Sequence, residues 1–402
     1  MIRNTAIHRI LPLAIIAIAS GIAPSAQAIQ RGAWFWYQSS DPNGAANVVG
    51  DNAKEDEAIS FLKQWNVTRV YGSYSSMPTS SATAMAKWNK KLAQSGIESF
   101  VVLSDATLVL PGNQSTLQSE VTSKLVTFNN GRSDPLEKFD GIEMDLEPHT
   151  LAQWDTGTDA DRRTLLLNLR DAFATVRQKL VTSGYGSSLL SAAIPPWFDS
   201  SASIGWTSNA DRDQWFTDIN ASLDTISLMA YENPNMNSVL SSTSYERAAF
   251  GSNAIIALRS KLGTEWNTYN DFASAMLNLE SQNGAGIDIE SYYRLRQIAP
   301  SPAAAGDFNN NGIIDAGDYT LWRKGGPLLN DPFPGATADD FAVWRSHFGS
   351  ATAAAGATFE TAIVPEPSTW LLVTLGGCIM VQRRHRDLVQ PHPHSQHSIR
   401  TD

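Results

Sequence analysis

The sequence predicts an α/β protein whose main part is a (β/α)8 barrel of the TIM type, on three observations. Eight short apolar runs alternate with longer helical stretches between Arg31 and about Pro300, the alternation a parallel barrel needs. No Gly-rich phosphate loop follows the first run, which separates the pattern from an open nucleotide-binding sheet. One central run carries acidic residues at every second position, a pattern that points one chemical face of a strand inward.

In chain order, strands are expected at 33–37, 68–72, 98–103, 141–146, 189–193, 225–230, 254–258 and 285–289. Helical periodicity fills most intervals, for example 55–65, 82–95, 115–128 and 161–182. Upstream of the first strand, Arg3 and Arg9 precede an apolar run from Ile10 to Ile22, and Ala26-Gln27-Ala28 offers a small-x-small cleavage site. Residues 1–28 therefore read as a secretory signal, too short in its apolar part for a membrane span. The only cysteine is Cys378, so the barrel at 29–298 is expected to hold by its core, without disulfides. The chain has 402 residues, 42% of them hydrophobic, with a formal net charge of −10 and no dense basic patch in its centre. That argues against nucleic acid as a partner.

Composition changes after the barrel. A linker at 299–306, rich in Pro, Ser and Ala, leads to a small module at 307–349. In it Asp318-Tyr319-Thr320-Leu321-Trp322-Arg323 recurs as Asp340-Phe341-Ala342-Val343-Trp344-Arg345. Ahead of the first copy, Asp307, Asn309, Asn311, Ile313 (through its carbonyl), Asp315 and Asp318 stand at the spacing of a calcium loop, with Gly312 at the sharp turn. The corresponding positions of the second copy include Leu329 and Phe333, so one structural calcium is expected and no cofactor for catalysis. The paired half-repeats resemble a dockerin-like module, which implies a protein partner. A spacer at 350–363 then leads to Val364-Pro365-Glu366-Pro367, an apolar run to Val381, and Arg383-Arg384-His385-Arg386. Residues 364–386 resemble a PEP-CTERM sorting signal, followed by a polar tail at 387–402. The resemblance implies export to the cell envelope or beyond, with the apolar segment in the membrane until sorting machinery processes it.

The segment richest in chemistry is Asp140-Gly141-Ile142-Glu143-Met144-Asp145-Leu146-Glu147. Strand alternation puts Glu143, Asp145 and Glu147 on one face, and three carboxylates on a buried face are costly unless they share protons. Aromatic residues Trp36, Tyr37, Tyr74, Trp197 and Tyr231 fall at or beyond the C-terminal ends of expected strands, the rim where barrel sites are built.

The acidic segment resembles the Asp-x-x-Asp-x-Asp-x-Glu signature of family 18 glycoside hydrolases, with Glu143 in place of the second Asp. Met229-Ala230-Tyr231-Glu232 resembles that family's Met-x-Tyr-Asp motif, and Ala193-Ile194-Pro195-Pro196 its Ala-x-Pro stretch. The resemblance covers roughly residues 31–296. It implies hydrolysis of a β-linked, N-acetylglucosamine-containing glycan, with Glu147 as acid, Asp145 and Tyr231 on the acetamide, and Asp140 and Glu143 as supporting groups. Trp36, Tyr74, Trp197 and Glu232 are candidate substrate contacts, and no tryptophan ends the last strand, where Tyr292 or Tyr293 could replace it. Two other readings stay open. One pairs Glu147 with a second carboxylate such as Glu232 on a sugar without an acetamide. The other is a catalytically silent carbohydrate-binding barrel.

Overall fold

The computed structural model describes residues 30–350 apart from 201–203, 234, 284–285, 300–304, 310–311, 327, 329 and 332–337. The expected signal peptide, sorting signal and tail lie outside the described residues, as does part of each linker. Among the described residues no helix is long and apolar enough to cross a membrane.

Eight parallel strands close on themselves in sequence order. They are β1 (Arg31–Phe35), β2 (Arg69–Gly72), β3 (Glu98–Leu103), β4 (Gly141–Met144), β5 (Leu189–Ile194), β6 (Thr225–Met229), β7 (Ala254–Arg259) and β8 (Ile287–Glu290). Closure is made by β8 against β1, with Arg31 opposite Ile287 and Ala33 opposite Ile289. The strands fall where the apolar runs placed them. The first strand begins at Arg31, two residues early, and the last extends to Glu290, one residue past the expected end.

Helices α1 (Asn52–Gln64), α2 (Ala82–Gln94), α3 (Gln114–Val121), α4 (Asp159–Thr182), α5 (Asn209–Asn220), α6 (Ser244–Phe250), α7 (Tyr269–Asn283) and α8 (Tyr292–Ile298) lie between and after the strands. α4 starts on a capping box, in which the Thr158 side chain accepts from Asp161 N–H and Asp161 reaches back to the Thr158 N–H. It buries Leu165, Leu166, Leu169, Ala172, Phe173, Val176 and Leu180, the i, i+3, i+4 spacing of one face. These side chains join the outward faces of the strands in the main core, while Trp34, Tyr71, Phe100, Val102 and Ala193 form a smaller cluster inside the barrel. Gly32 makes that interior possible. A Cβ there would lie 2.0 Å from Asp288 Oδ1 and 2.6 Å from the Tyr71 ring.

Beyond the barrel, α9 (Ala316–Arg323) and α10 (Ala338–His347) carry the two repeated hexapeptides. Their aromatics hold them together: Tyr319 and Trp344 have ring centroids 5.0 Å apart, and Trp322 and Phe341 5.1 Å. Trp344 Nε1 donates to the Asp315 carbonyl at 2.8 Å, tying the second copy to the loop ahead of the first.

Candidate active site

On β4 the alternation works as the sequence suggested, with one difference of depth. Ile142, Met144 and Leu146 are buried in the outer core, while Glu143 and Asp145 point into the barrel. Pairing continues to Asp145, whose N–H donates to the Leu103 carbonyl at 2.8 Å. Pro148, which has no N–H to give, then turns the chain into a short 3₁₀ turn at Pro148–Thr150, with Glu147 at its start.

Asp145 and Glu147 line one cavity of about 230 Å³ at the C-terminal end of the barrel. Its other walls are Trp34 and Trp36 from β1 and the residue after it, Met229 and Tyr231 around the end of β6, Arg259 at the end of β7, and Glu290 with Arg294 at and after the end of β8. Trp36 stacks on Trp34 with centroids 5.3 Å apart and planes 19° apart. Asp145 is only 8% exposed, and among the described residues its side chain has no hydrogen-bond or ion-pair partner. Burial pushes its carboxyl well above the ordinary range, and the charges of Glu147 and Glu290 push it further. Burial also raises Glu147. Tyr231 is raised well above its usual value by burial and by the Glu290 and Asp145 charges, so its hydroxyl stays protonated and available as a donor.

Two wider cavities flank this one. The first, about 590 Å³, shares Glu147, Met229, Tyr231 and Arg259 with it and adds His149, Trp197, Asp199 and Glu232. The second, about 500 Å³, shares Trp36, Glu290 and Arg294 and adds Tyr37, Ser73, Ser104 and Tyr293. Together they make a continuous cleft with Asp145 and Glu147 near its middle.

The structure brings Glu147, Asp145, Tyr231 and Trp36 together. Trp197 reaches the first flanking cavity with 38% of its surface exposed, edge-on to His149 at 5.5 Å. Three expected residues sit elsewhere. Asp140 is at the opposite, N-terminal end of β4, where its carboxylate accepts the Ser99 N–H at 2.8 Å; it supports the strand, not Asp145. Glu143 lies a layer below the cavity, fully buried, close enough for its charge to be felt at Asp145 only if ionised, and burial keeps it well above its ordinary pKa. Tyr74 is a core residue, 1% exposed, whose hydroxyl accepts from Trp88 Nε1 at 2.8 Å. It turns inward under the helices because Gly72 leaves room for its ring.

Glu232 occupies a left-handed turn with φ of 61°, which swings its side chain to the rim, 80% exposed and 3.6 Å from Arg259. The third carboxylate facing the central cavity, beside Asp145 and Glu147, is Glu290, which sequence reasoning missed. Its Oε1 accepts from Trp36 Nε1 and its Oε2 from Arg294 Nη1, each at 3.3 Å. A signal was present: Ile287-Asp288-Ile289-Glu290 alternates apolar and acidic as β4 does, but the expected strand stopped at Ile289. Of the two tyrosines offered for the last strand's end, Tyr292 packs in the core against Phe35 and Phe61, and Tyr293 lines the second flanking cavity.

In the small module, Asp307 accepts the Gly312 N–H at 2.8 Å, and Asp318 accepts from Asn309 N–H at 3.0 Å and Asp315 N–H at 2.7 Å. Asp315 caps α9, accepting from Gly317 N–H. Asn311 lies outside the described residues. Among the described residues no three acidic, histidine or cysteine side chains are grouped to hold a metal.

No family model matches this chain, and no curated relative does. Among solved structures it is similar to a GH18 chitinase from Pseudoalteromonas aurantia, at 12% identity and a TM-score of 0.44, over 67% of this chain and 98% of that one. It is similar also to the PgaB (BpsB) glycoside hydrolase domain from Bordetella bronchiseptica, at 10% identity and a TM-score of 0.43, over 67% and 96%. A chitinase from Bacteroides thetaiotaomicron aligns at 10% identity and a TM-score of 0.43, over 66% and 90%. At these identities the likeness is one of barrel architecture, which the closed strand order already fixes.

Proposed function

We propose that this protein is an exported glycoside hydrolase that cuts β-linked, N-acetylglucosamine-containing glycans with help from the substrate's own acetamide. The observation that carries the reading is the pairing of two carboxyls, Asp145 and Glu147, in one cavity with different surroundings. Glu147 sits at the junction of the central and first flanking cavities, where a bond spanning the two would place its leaving oxygen. Burial holds its proton toward neutral pH, as a general acid requires. Asp145, deeper and free of protein partners, faces the central cavity with Tyr231. That pair suits a 2-acetamido group: the carboxylate accepts from its N–H and balances the charge that forms, while the tyrosine hydroxyl donates to its carbonyl oxygen.

In the reaction the acetamide carbonyl oxygen attacks the anomeric carbon as the glycosidic bond breaks, and Glu147 gives its proton to the departing oxygen. Water then opens the cyclic intermediate, Glu147 takes a proton back, and the anomeric configuration is retained. The Asp145 carboxylate, which keeps its hydrogen bond from the acetamide N–H throughout, faces the positively charged ring of the intermediate. The alkaline limb of activity follows loss of the Glu147 proton, and burial places it above the ordinary glutamate range.

The test compares aryl β-glycosides of N-acetylchitobiose and of cellobiose with the full chain. The acetylated substrate is expected to be cut with retention and the 2-hydroxy substrate hardly at all. Equal rates on both would replace this reading with a two-carboxylate mechanism, for which Glu290, not the exposed Glu232, faces the cavity.

The Asp307–Asp318 loop is proposed to hold one calcium ion. The proposal rests on the loop spacing and on Asp307 and Asp318, both fully buried, with burial first and the Asp307 and Asp315 charges after it raising Asp318. Chelation should lower the melting temperature of the module; an unchanged melting curve would remove the ion from the account. The dockerin-like partner, export through residues 1–28 and sorting through 364–386 belong to the same proposal. Mass spectrometry of mature protein from envelope fractions tests the last two by locating its termini.

A further inference from the structure

Arg259, at the end of β7, stands among several acids. It lines the central and first flanking cavities together with Glu147, and the central cavity also holds Asp145 and Glu290. A guanidinium free to bond any of these acids would hold it ionised, and an ionised Glu147 has no proton to give. The loop that follows β7 takes that freedom away. Glu265 comes from this loop and is 7% exposed. Its Oε1 accepts from Arg259 Nε at 2.7 Å and from Arg259 Nη2 as well, and its Oε2 accepts from the Thr264 hydroxyl. Burial works against a charge on Glu265, but the hydrogen bonds from Thr264, Arg259 and the Glu232 N–H outweigh it and hold the carboxyl below its ordinary pKa. Trp266 ties the loop back to the strand, its Nε1 donating to the Arg259 carbonyl at 2.8 Å.

The same Glu265 oxygen reaches the neighbouring strand's end. It accepts the Glu232 N–H at 3.0 Å, at the residue whose φ of 61° is left-handed. A residue with a side chain enters that region at a cost and stays only where its surroundings hold it. Glu265 supplies such a hold, one residue after Tyr231. Arg259 adds a second, with its guanidinium carbon 5.5 Å from the centre of the Tyr231 ring. One carboxylate thus fixes both the turn that aims Tyr231 and the arginine over its ring.

We infer that Glu265 is a positioning residue, which binds Arg259 and the Tyr231–Glu232 turn as one unit and so keeps the guanidinium off Glu147. This rests on the proposed function, which makes Glu147 the acid and Tyr231 a donor to the acetamide. The other titratable or charged groups around Glu147 are Asp145 on β4, His149 in the turn that follows, Tyr231 and Glu232 after β6, Glu290 and Arg294 at and after the end of β8, and Asp199 in the first flanking cavity. Of the cations, Arg294 is held by Glu290 at 3.3 Å, and burial lowers the pKa of His149 and favours its neutral ring. Asp199 is raised by burial against the attraction of Arg212. Arg259 is therefore the cation whose pairing decides the proton on Glu147.

The experiment compares the full chain with Glu265→Gln, which keeps an oxygen for Arg259 and the Glu232 N–H but removes the charge. A guanidinium no longer neutralised stabilises the ionised form of Glu147, so the alkaline limb of kcat/KM on aryl N-acetylchitobioside should move about one pH unit down. Adding Arg259→Gln should return the limb toward the parent's, a rescue that a merely structural role would not give. Glu265→Ala also releases the Glu232 N–H, and should lower kcat about ten- to a hundredfold below that of Glu265→Gln. Carbon-13 NMR of the glutamate carboxyls, with Glu147→Gln assigning the signal, reads the same shift without a substrate. A limb and a Glu147 titration that stay at the parent's pH in Glu265→Gln, or a shift that Arg259→Gln does not reverse, would overturn the inference and leave the proposed function standing. A parent that cuts no N-acetylated substrate would sink the proposed function, and the NMR titration would then decide, by the same criterion, whether Glu265 holds Arg259 off Glu147.

Discussion

The two poles of the barrel differ in how they treat their buried acids. At the N-terminal pole Arg31 grips both oxygens of Glu280, at 2.8 and 2.6 Å, with both side chains under 10% exposed. Arg69 bonds Glu98 at 2.7 Å, Arg177 bonds Asp224 at 2.6 Å, and Asp140 takes a backbone N–H. Toward the C-terminal pole Glu265 and Glu290 are paired with Arg259 and Arg294, but among the described residues the carboxyls of Asp145 and Glu147 have no such partners. Glu143 and Asp288 are fully buried a layer below, beside Ser191 and Ser227 and without an ion-pair partner among the described residues. Paired charges fix a structure, whereas carboxyls held out of water and unpaired keep protons that a reaction can use. The division matches the usual one in such barrels, stability below and chemistry above.

The sharpest way to break the comparison is to unpair a charge at the stable pole. Glu280→Ala strands the Arg31 guanidinium in a buried site, and should cost about 3–5 kcal/mol in urea unfolding. A loss below about 1 kcal/mol would mean that water reaches Arg31 and that the pole is not sealed.

The opposite sign is expected of Asp288, whose carboxyl burial pushes up to about 6. A carboxyl with a raised folded pKa binds its proton more tightly folded than unfolded. Its cost is therefore absent below the unfolded value near 4, grows as pH rises to about 6, and is complete above it. The full cost is about 2–3 kcal/mol. Asp288→Asn should accordingly stabilise the protein at pH 8 relative to pH 4 by about that amount, read as a shift in urea midpoint. A midpoint difference identical to the parent's would show that Asp288 titrates normally and that the interior is wet.

How much of this was legible beforehand follows the same division. Runs of apolar residues carry strand positions, because a parallel barrel strand is buried on both faces, and all eight were placed. The β4 acids were legible because an acidic alternation has no structural use. Depth along the barrel was not legible: Glu143 and Asp140 share the motif with Asp145, yet one is sealed below the cavity and the other lies at the far pole. Nor could the sequence tell the buried Tyr74 from the exposed Trp197, since both follow strand ends and only the packing of the helices above them separates core from rim. Glu290 was lost by a single residue of strand length.

That pair gives the smallest predicted effect. Trp197→Ala should raise KM for long oligomers about three- to tenfold with little change in kcat, as expected for loss of one stacking platform. Tyr74→Phe should leave both kinetic constants alone and cost about 1–3 kcal/mol in stability, by stranding the Trp88 N–H. A kinetic effect of Tyr74→Phe larger than that of Trp197→Ala would reverse the assignment of core and rim.

The most direct test of the central claim is the rate of aryl N-acetylchitobioside hydrolysis by the full chain beside its Glu147→Gln variant. The variant keeps the shape and removes the proton, so the account predicts a fall of about 10²–10⁴ in kcat/KM, with an unchanged unfolding midpoint at pH 5. A folded Glu147→Gln protein that retained more than a tenth of the parent rate would contradict it, and would move the acid to another carboxyl of the cavity.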